Sequence, residues 1–204
     1  MSFGTSMAGV GFLAKFSSMF TCASERPKPN PVPVKMTVSN FSQLLEVAGC
    51  EERPPPGYTL RLLELVDYDK GFVELLAQLT AVGTISRETF EERFRSMAKT
   101  GLYYVIVIED LGVKKIVGTA TLVLEYKFIH ECGRRGRIED VVVDESARGK
   151  SFGKLLNRCL VKLAKYFGVY KLSLECKDNL IKFYEQFGLQ LDVGNNFLVQ
   201  RFDK

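Results

Sequence analysis

Hydrophobic positions along this chain change their period several times, and each change marks an element. TLRLLEL, residues 59–65, reads as a strand; Phe72, Leu75, Leu76 and Leu79 then recur at i, i+3, i+4 and i+7, one apolar face of a helix that Gly83 can cap. Ser86 is placed to N-cap a second helix carrying Phe90, Phe94 and Met97 on one face and ending at Gly101. Two β-rich runs, Tyr103–Glu109 and Ile116–Tyr126, flank the turn-like DLGVKK and predict a hairpin, and a third run spans Arg137–Val143. The period becomes helical again over Ser151–Phe167, where Leu155, Leu156, Cys159, Leu160, Leu163 and Ala164 share a face. A strand (Tyr170–Cys176), a short helix (Asn179–Phe187) and a last strand (Asn196–Phe202) complete the order β-α-α-β-β-β-α-β-α-β. Helices interrupting a mostly antiparallel sheet define an α+β, or mixed α/β, class.

Upstream the pattern breaks down. ERPKPNPVP (residues 25–33) and RPPPG (residues 53–57) are too proline-dense for a helix interior or a central strand. Between them Phe41, Leu44, Leu45 and Ala48 have helical spacing, which predicts a surface helix appended to the domain. The division is therefore an N-terminal extension, residues 1–57, largely disordered with Pro-rich segments, and a folded domain, residues 58–204. The first twenty residues are Ser-rich, acid-free and partly apolar; a targeting peptide shares that composition, but no basic segment precedes the apolar run, and a disordered tail is the expected reading.

With 204 residues, 46% hydrophobic and 25% charged, the chain suits one globular domain with a real core. Its net charge of +4 falls short of a dedicated nucleic-acid face and leaves room only for a local basic site. Five cysteines (Cys22, Cys50, Cys132, Cys159, Cys176) are odd in number and never form C-x-x-C, so neither a disulfide framework nor a zinc site is indicated, and a reducing, cytoplasmic compartment is expected. A single histidine, His130, argues against a multi-His metal centre, and no metal is expected. No stretch is apolar for the roughly 20 residues of a membrane span.

The segment VVVDESARGKSFGK, residues 141–154, is the most informative. A β-branched strand enters a turn with two glycines and three basic residues, Arg148, Lys150 and Lys154, and the turn opens onto the amphipathic helix. Such a turn aims backbone N–H groups and the positive end of the helix dipole at one spot, as a pyrophosphate requires. An ordinary strand-to-helix loop with solvated basic residues has the same pattern. Gly149-Lys150-Ser151 imitates the end of a Walker A loop, but the glycine required five residues earlier is Asp144, and no G-x-G-x-x-G follows a strand.

Arg148-Gly149-Lys150-Ser151-Phe152-Gly153 resembles the acyl-CoA pyrophosphate loop of the GNAT acetyltransferase superfamily, R/Q-x-x-G-x-G/A, with Ser151 standing where that pattern has glycine. Four further blocks, LTAVGTIS (79–86), YKFIHECGRRGRIEDVVVD (126–144), YKLSLEC (170–176) and KFYEQFG (182–188), resemble the glucosamine 6-phosphate N-acetyltransferase family, over about residues 58–204. That resemblance implies a GNAT fold and acetyl transfer from acetyl-CoA to the amine of glucosamine 6-phosphate, feeding UDP-N-acetylglucosamine synthesis, by a homodimer. It implies an acetyl-CoA site at the backbone of Val141, Val142 and Val143 and at Arg148, Gly149, Lys150, Ser151, Phe152, Gly153 and Lys154, with Asn179 and Tyr184 nearby. It implies a sugar phosphate site at Thr80, Lys127, Phe128, Ile129, His130, Glu139, Asp140 and Arg201, with Tyr170, Lys171 and Glu175 reaching in from the partner subunit. One departure is that the asparagine of the family's N-V-x-F-Y is displaced by one position, at Asn179.

Acyl transfer to an amine needs few groups, because positioning supplies much of the rate. Glu139, Asp140 and Glu175 are candidates to orient the amine or accept its proton, and Tyr184 to donate to the departing sulfur; solvated or salt-bridged carboxylates and a core aromatic are the plainer roles. Strict alternation puts Glu139 and Asp140 on opposite faces. Lys127, Arg134, Arg135 and Arg137 form a cluster suited to phosphate or to a solvated loop, and Cys159 and Cys176 read as core. Two rivals stand beside this reading: a GNAT enzyme for another amine, such as a protein lysine or polyamine, and a non-catalytic acyl-CoA-binding module.

Overall fold

The computed structural model describes residues 38–202; the segment 25–33, Cys22 and the expectations for the first twenty residues lie outside them. One sheet runs β1 (Tyr58–Leu62), β2 (Tyr103–Asp110), β3 (Lys115–Tyr126), β4 (Arg134–Val143), β5 (Val169–Ser173) in spatial order. The first four are antiparallel neighbours, and β5 lies parallel to β4. Helices α1 (Val38–Val47) and α5 (Phe152–Tyr166) cover one face, with Tyr104, Ile106, Ile108, Leu122 and Ile138 beneath them. Helices α2 (Phe72–Ala77) and α3 (Arg87–Thr100) pack on the other, against Val107, Ile116 and Val142. A single turn, α4 (Ile129–Cys132), and a short α6 (Ile181–Glu185) complete the α+β architecture.

Local chemistry explains the sharpest boundaries. The Ser86 side chain accepts from Thr89 N–H at the start of α3, and Gly101 ends it in the left-handed region at φ 66°. Every residue of the expected apolar stripe of α5 is buried, which draws the helix onto the sheet at about 1.5–3 kcal/mol per leucine.

Several expectations are corrected. Helix α1 is no appendage: Phe41 and Leu45 are 1% and 2% exposed and belong to the main core. Cys50, just beyond it, is joined to Cys159 of α5 in a disulfide with Cα atoms 5.7 Å apart, so two thiols expected to be unpaired staple α1 to α5. Cys176 is exposed rather than core. Helix α2 stops at Ala77, leaving Leu79 47% exposed, and β5 stops at Ser173. Residues 196–202 form no strand: nothing in the described chain pairs with them, and Phe197, Leu198 and Phe202 face solvent. No helix among the described residues is long and apolar enough to cross a membrane.

Beneath α2 lies a buried ionic network. The Arg61 guanidinium forks onto both oxygens of the fully buried Asp67 at 2.7 Å each and also meets Glu109 at 2.5 Å. Lys70 donates to the other Glu109 oxygen at 2.8 Å, and Glu64 N–H to Asp67 at 2.8 Å. Each buried charge thus has an opposite charge and several hydrogen bonds, the condition under which such groups are tolerated in a core.

Candidate active site

The register between β3 and β4 breaks at one point. Thr121 faces Glu139 and Thr119 faces Val142, so Ala120 alone spans Asp140 and Val141. This β-bulge holds Asp140 in the left-handed region at φ 53°, and it cancels one step of the pleat. Glu139 and Asp140 consequently sit on the same, α2/α3 side of the sheet, against the strict alternation expected of a regular strand. Asp140 lines a cavity of about 720 Å³ between that face and α2 and α3, with Thr119 and Thr121 beside it and Phe72, Leu76 and Phe90 as its apolar wall.

The two neighbouring carboxylates differ electrostatically. Asp140 opens to water within the cleft and has no hydrogen bond or salt bridge to the described residues, and burial pushes its carboxyl up from the usual aspartate value. Glu139 accepts from Arg137 Nε at 2.7 Å, and the other arm of Arg137 reaches Glu175 at 2.8 Å. Glu139 and Glu175 are therefore gathered by one arginine within a single chain, whereas Asp140 is left without such a partner among the described residues.

On the other side of the bulge the sheet opens. Pairing of β5 with β4 ends at Arg137↔Ser173, so the edge of β4 through Val141 and Val143 has no neighbouring strand among the described residues. An extended ligand with amide groups can lie along such an edge as a strand would. At the far end, Asp144 N–H is tied to Val117 O (2.9 Å) and the Asp144 carboxylate accepts from Ser146 N–H (2.8 Å), starting a 3-10 turn over Glu145–Ala147. Gln78, at the end of α2, clasps this turn: its Nε2 donates to Asp144 at 2.8 Å and its Oε1 accepts from Glu145 N–H at 3.2 Å. Gly149 then has φ +83° and Ser151 φ 62°. Both lie in the left-handed region, which accounts for the glycine that the resembled loop carries at the serine's position; a non-glycine residue there is strained by roughly 1–2 kcal/mol.

Leu155 N–H, bonded to Ser151 O at 3.0 Å, starts the ladder of α5, and the N–H groups of Phe152, Gly153 and Lys154 precede it, available to an anion. Arg148, Lys150 and Lys154 are exposed around them, Arg148 paired with Glu145 at 3.3 Å and Lys150 over the Tyr58 ring. A Cβ on Gly153 would lie 3.4 Å from Phe183, so the start of α5, the end of β4 and α6 converge. Tyr184, on α6, is 8% exposed; burial pushes its phenol up, keeping it a hydrogen-bond donor at neutral pH.

The remaining candidates divide. His130 stacks on Tyr170 with ring centres 4.1 Å apart, held by the left-handed residues His130, Glu131 and Cys132 of α4. Lys127 pairs with Glu125, Phe128 is 96% exposed, and Ile129 is also exposed. Lys171 pairs with Asp192 at 2.6 Å. The pleat turns Arg134 away from Arg135 and Arg137, and all three are engaged: Arg134 donates to Phe167 O and covers Tyr126, Arg135 donates to Ser173, and Arg137 holds the two glutamates. Thr80 and Asn179 are exposed, and Arg201 lies in the exposed tail, apart from the cleft residues. Thr119, Thr121 and Gln78 were not anticipated; the threonines sit in a run legible only as buried strand, and nothing local marks the glutamine.

The acetyltransferase (GNAT) family model matches residues 71–189, and the chain belongs to that family. Within it, the similarity runs to glucosamine 6-phosphate N-acetyltransferases. A probable glucosamine 6-phosphate N-acetyltransferase from Drosophila melanogaster is 47% identical over 167 residues, covering 81% of this chain and 75% of that protein. A glucosamine 6-phosphate N-acetyltransferase from Candida albicans is 41% identical, covering 66% of this chain and 90% of that one. The crystal structure of glucosamine-6-phosphate N-acetyltransferase from Arabidopsis thaliana superposes with a TM-score of 0.64 at 38% identity, covering 72% of this chain and 97% of its own.

Proposed function

We propose that the chain transfers the acetyl group of acetyl-CoA to the amine of glucosamine 6-phosphate, giving N-acetylglucosamine 6-phosphate. The observation that carries the chemistry is the bulge at Asp140, which sets a free carboxylate in the cleft next to the open edge of β4. The names and identities of the relatives support the acceptor.

In this reading the edge of β4 at Val141–Val143 receives the amide-bearing arm of the donor, and the N–H groups at the start of α5 with Arg148, Lys150 and Lys154 hold its pyrophosphate. Asp140 orients the amine and takes its proton, directly or through one water, as the new C–N bond forms. Glu139 and Glu175, spaced by Arg137, bind sugar hydroxyls or water rather than compete for that proton. Tyr184 donates a hydrogen bond to the leaving sulfur. Because the amine attacks the thioester directly, both substrates occupy the site together. Varying both concentrations therefore gives intersecting double-reciprocal lines; parallel lines, the mark of an acyl-enzyme, contradict direct transfer.

The active species in this reading is a homodimer. The apolar residues Phe197, Leu198, Val199 and Phe202 and the outer edge of β5 are exposed in one chain and suit a second copy, which brings its Tyr170 and Lys171 toward the sugar phosphate, while Glu175, expected from the partner, is held by Arg137 of its own chain. Light scattering is expected to give twice the 23.0 kDa chain mass, and a monomer that retains full activity contradicts the shared site.

A further inference from the structure

We propose that Gln78 is a positioning residue of the donor-binding loop, setting where that loop and the start of α5 present their N–H groups; this rests on the reading of residues 148–154 as the acetyl-CoA site. Gln78 is the residue that caps α2, and that helix is fixed by the buried Phe72 and Leu75. Its amide uses both ends on one turn far away in sequence, donating to Asp144 Oδ2 and accepting from Glu145 N–H. The two partners leave the amide a single satisfying orientation, since a carboxylate only accepts and a backbone N–H only donates.

Asp144 is divided accordingly. Its Oδ1 accepts the Ser146 N–H at 2.8 Å and hydroxyl at 2.5 Å, and its backbone carbonyl accepts from Ala147 N–H at 2.9 Å, so that half of the residue builds the turn. Its Oδ2 is left to α2. Arg148 follows the turn directly, with Gly149 and Ser151 in left-handed conformations after it. Between the anchored strand end and α5, the clasp to α2 is what ties this stretch of loop to the opposite layer of the fold. Phe72 and Leu76 of the same helix line the cleft at Asp140, so one side chain couples the helix bordering that cleft to the loop that holds the donor.

The test is a charge swap. Gln78→Glu sets a second carboxylate against Asp144 and the loop shifts: the KM for acetyl-CoA, and the Kd for CoA by calorimetry, are expected to rise about tenfold, with kcat and the acceptor KM changed less than about twofold. Adding Asp144→Asn lets an amide at 144 donate to the carboxylate at 78 and is expected to bring both constants back to within about threefold of the wild type. A merely structural role moves kcat, both KM values and the melting temperature together and is not rescued by the second change. An unchanged Kd in Gln78→Glu, or no rescue, overturns the proposal. A wild-type chain that binds no CoA overturns the site reading itself, a distinct result read before any variant is made.

Discussion

Asp140→Asn is expected to lower kcat for acetyl transfer by about 10²–10³-fold, the usual contribution of a positioned proton acceptor. Asparagine is among the few side chains that tolerate a positive φ, so it keeps the bulge, at φ 53°, and the shape of the cleft while removing the acceptor of the proton. Protonation of the amine alone gives a slope of one in log(kcat/KM) against pH on the acid side. Burial raises the Asp140 pKa, so a second unit of slope sets in above the ordinary aspartate range in the wild type and is missing from the variant. Glu139→Gln keeps most of its contact with Arg137 and is expected to cost far less, about tenfold or under. Steady-state rates across the pH range decide the matter; an Asp140→Asn enzyme within about threefold of wild type contradicts the assignment.

The largest stability effect belongs to the network under α2. Asp67→Ala removes a bidentate partner from a guanidinium that is itself mostly buried and leaves the Glu64 N–H unanswered. Breaking a buried pair on one side typically costs about 3–5 kcal/mol, which for a domain of this size lowers Tm by about 10 °C. Glu109 adds a pH dependence. Burial by itself raises its pKa, but the hydrogen bonds from Lys70 and Arg61 outweigh that and hold it below the usual glutamate value. Its folded pKa thus lies under its unfolded one, so its stabilisation is complete above the unfolded value and is lost as pH falls through the folded one. Thermal melts at neutral pH and in mild acid test both statements; a shift of less than about 2 °C for Asp67→Ala contradicts the first.

Much of this architecture is written in local pattern. Ser86 and Gly101 bracket α3 because capping is a property of a few neighbouring residues, and the stripe from Leu155 to Ala164 is legible because one helix face needs no knowledge of its partner. The path from β4 through a glycine-bearing turn into α5 is likewise local, since strand, turn and helix signals follow one another in the sequence. What escaped depends on distant parts of the chain. The bulge at Asp140 exists only in the register between β3 and β4, so the alternation rule misplaced one of two adjacent carboxylates. Cys50 and Cys159 are separated by 109 positions, and α1 lay between two proline-rich runs that disguised its place in the core. Residues 196–202 have strand-like composition but no strand to pair with in one chain, and the Gln78 clasp joins an unremarkable helix end to a loop across the fold.

The central claim is that this GNAT site acetylates the amine of a phosphorylated amino sugar. The most direct measurement is release of free CoA thiol by the purified chain with acetyl-CoA, comparing glucosamine 6-phosphate with unphosphorylated glucosamine. Rapid release with the phosphorylated sugar, and release slower by at least about two orders of magnitude without the phosphate, is the expected result. Equal rates with the two sugars, or CoA binding with no release for either, would contradict it.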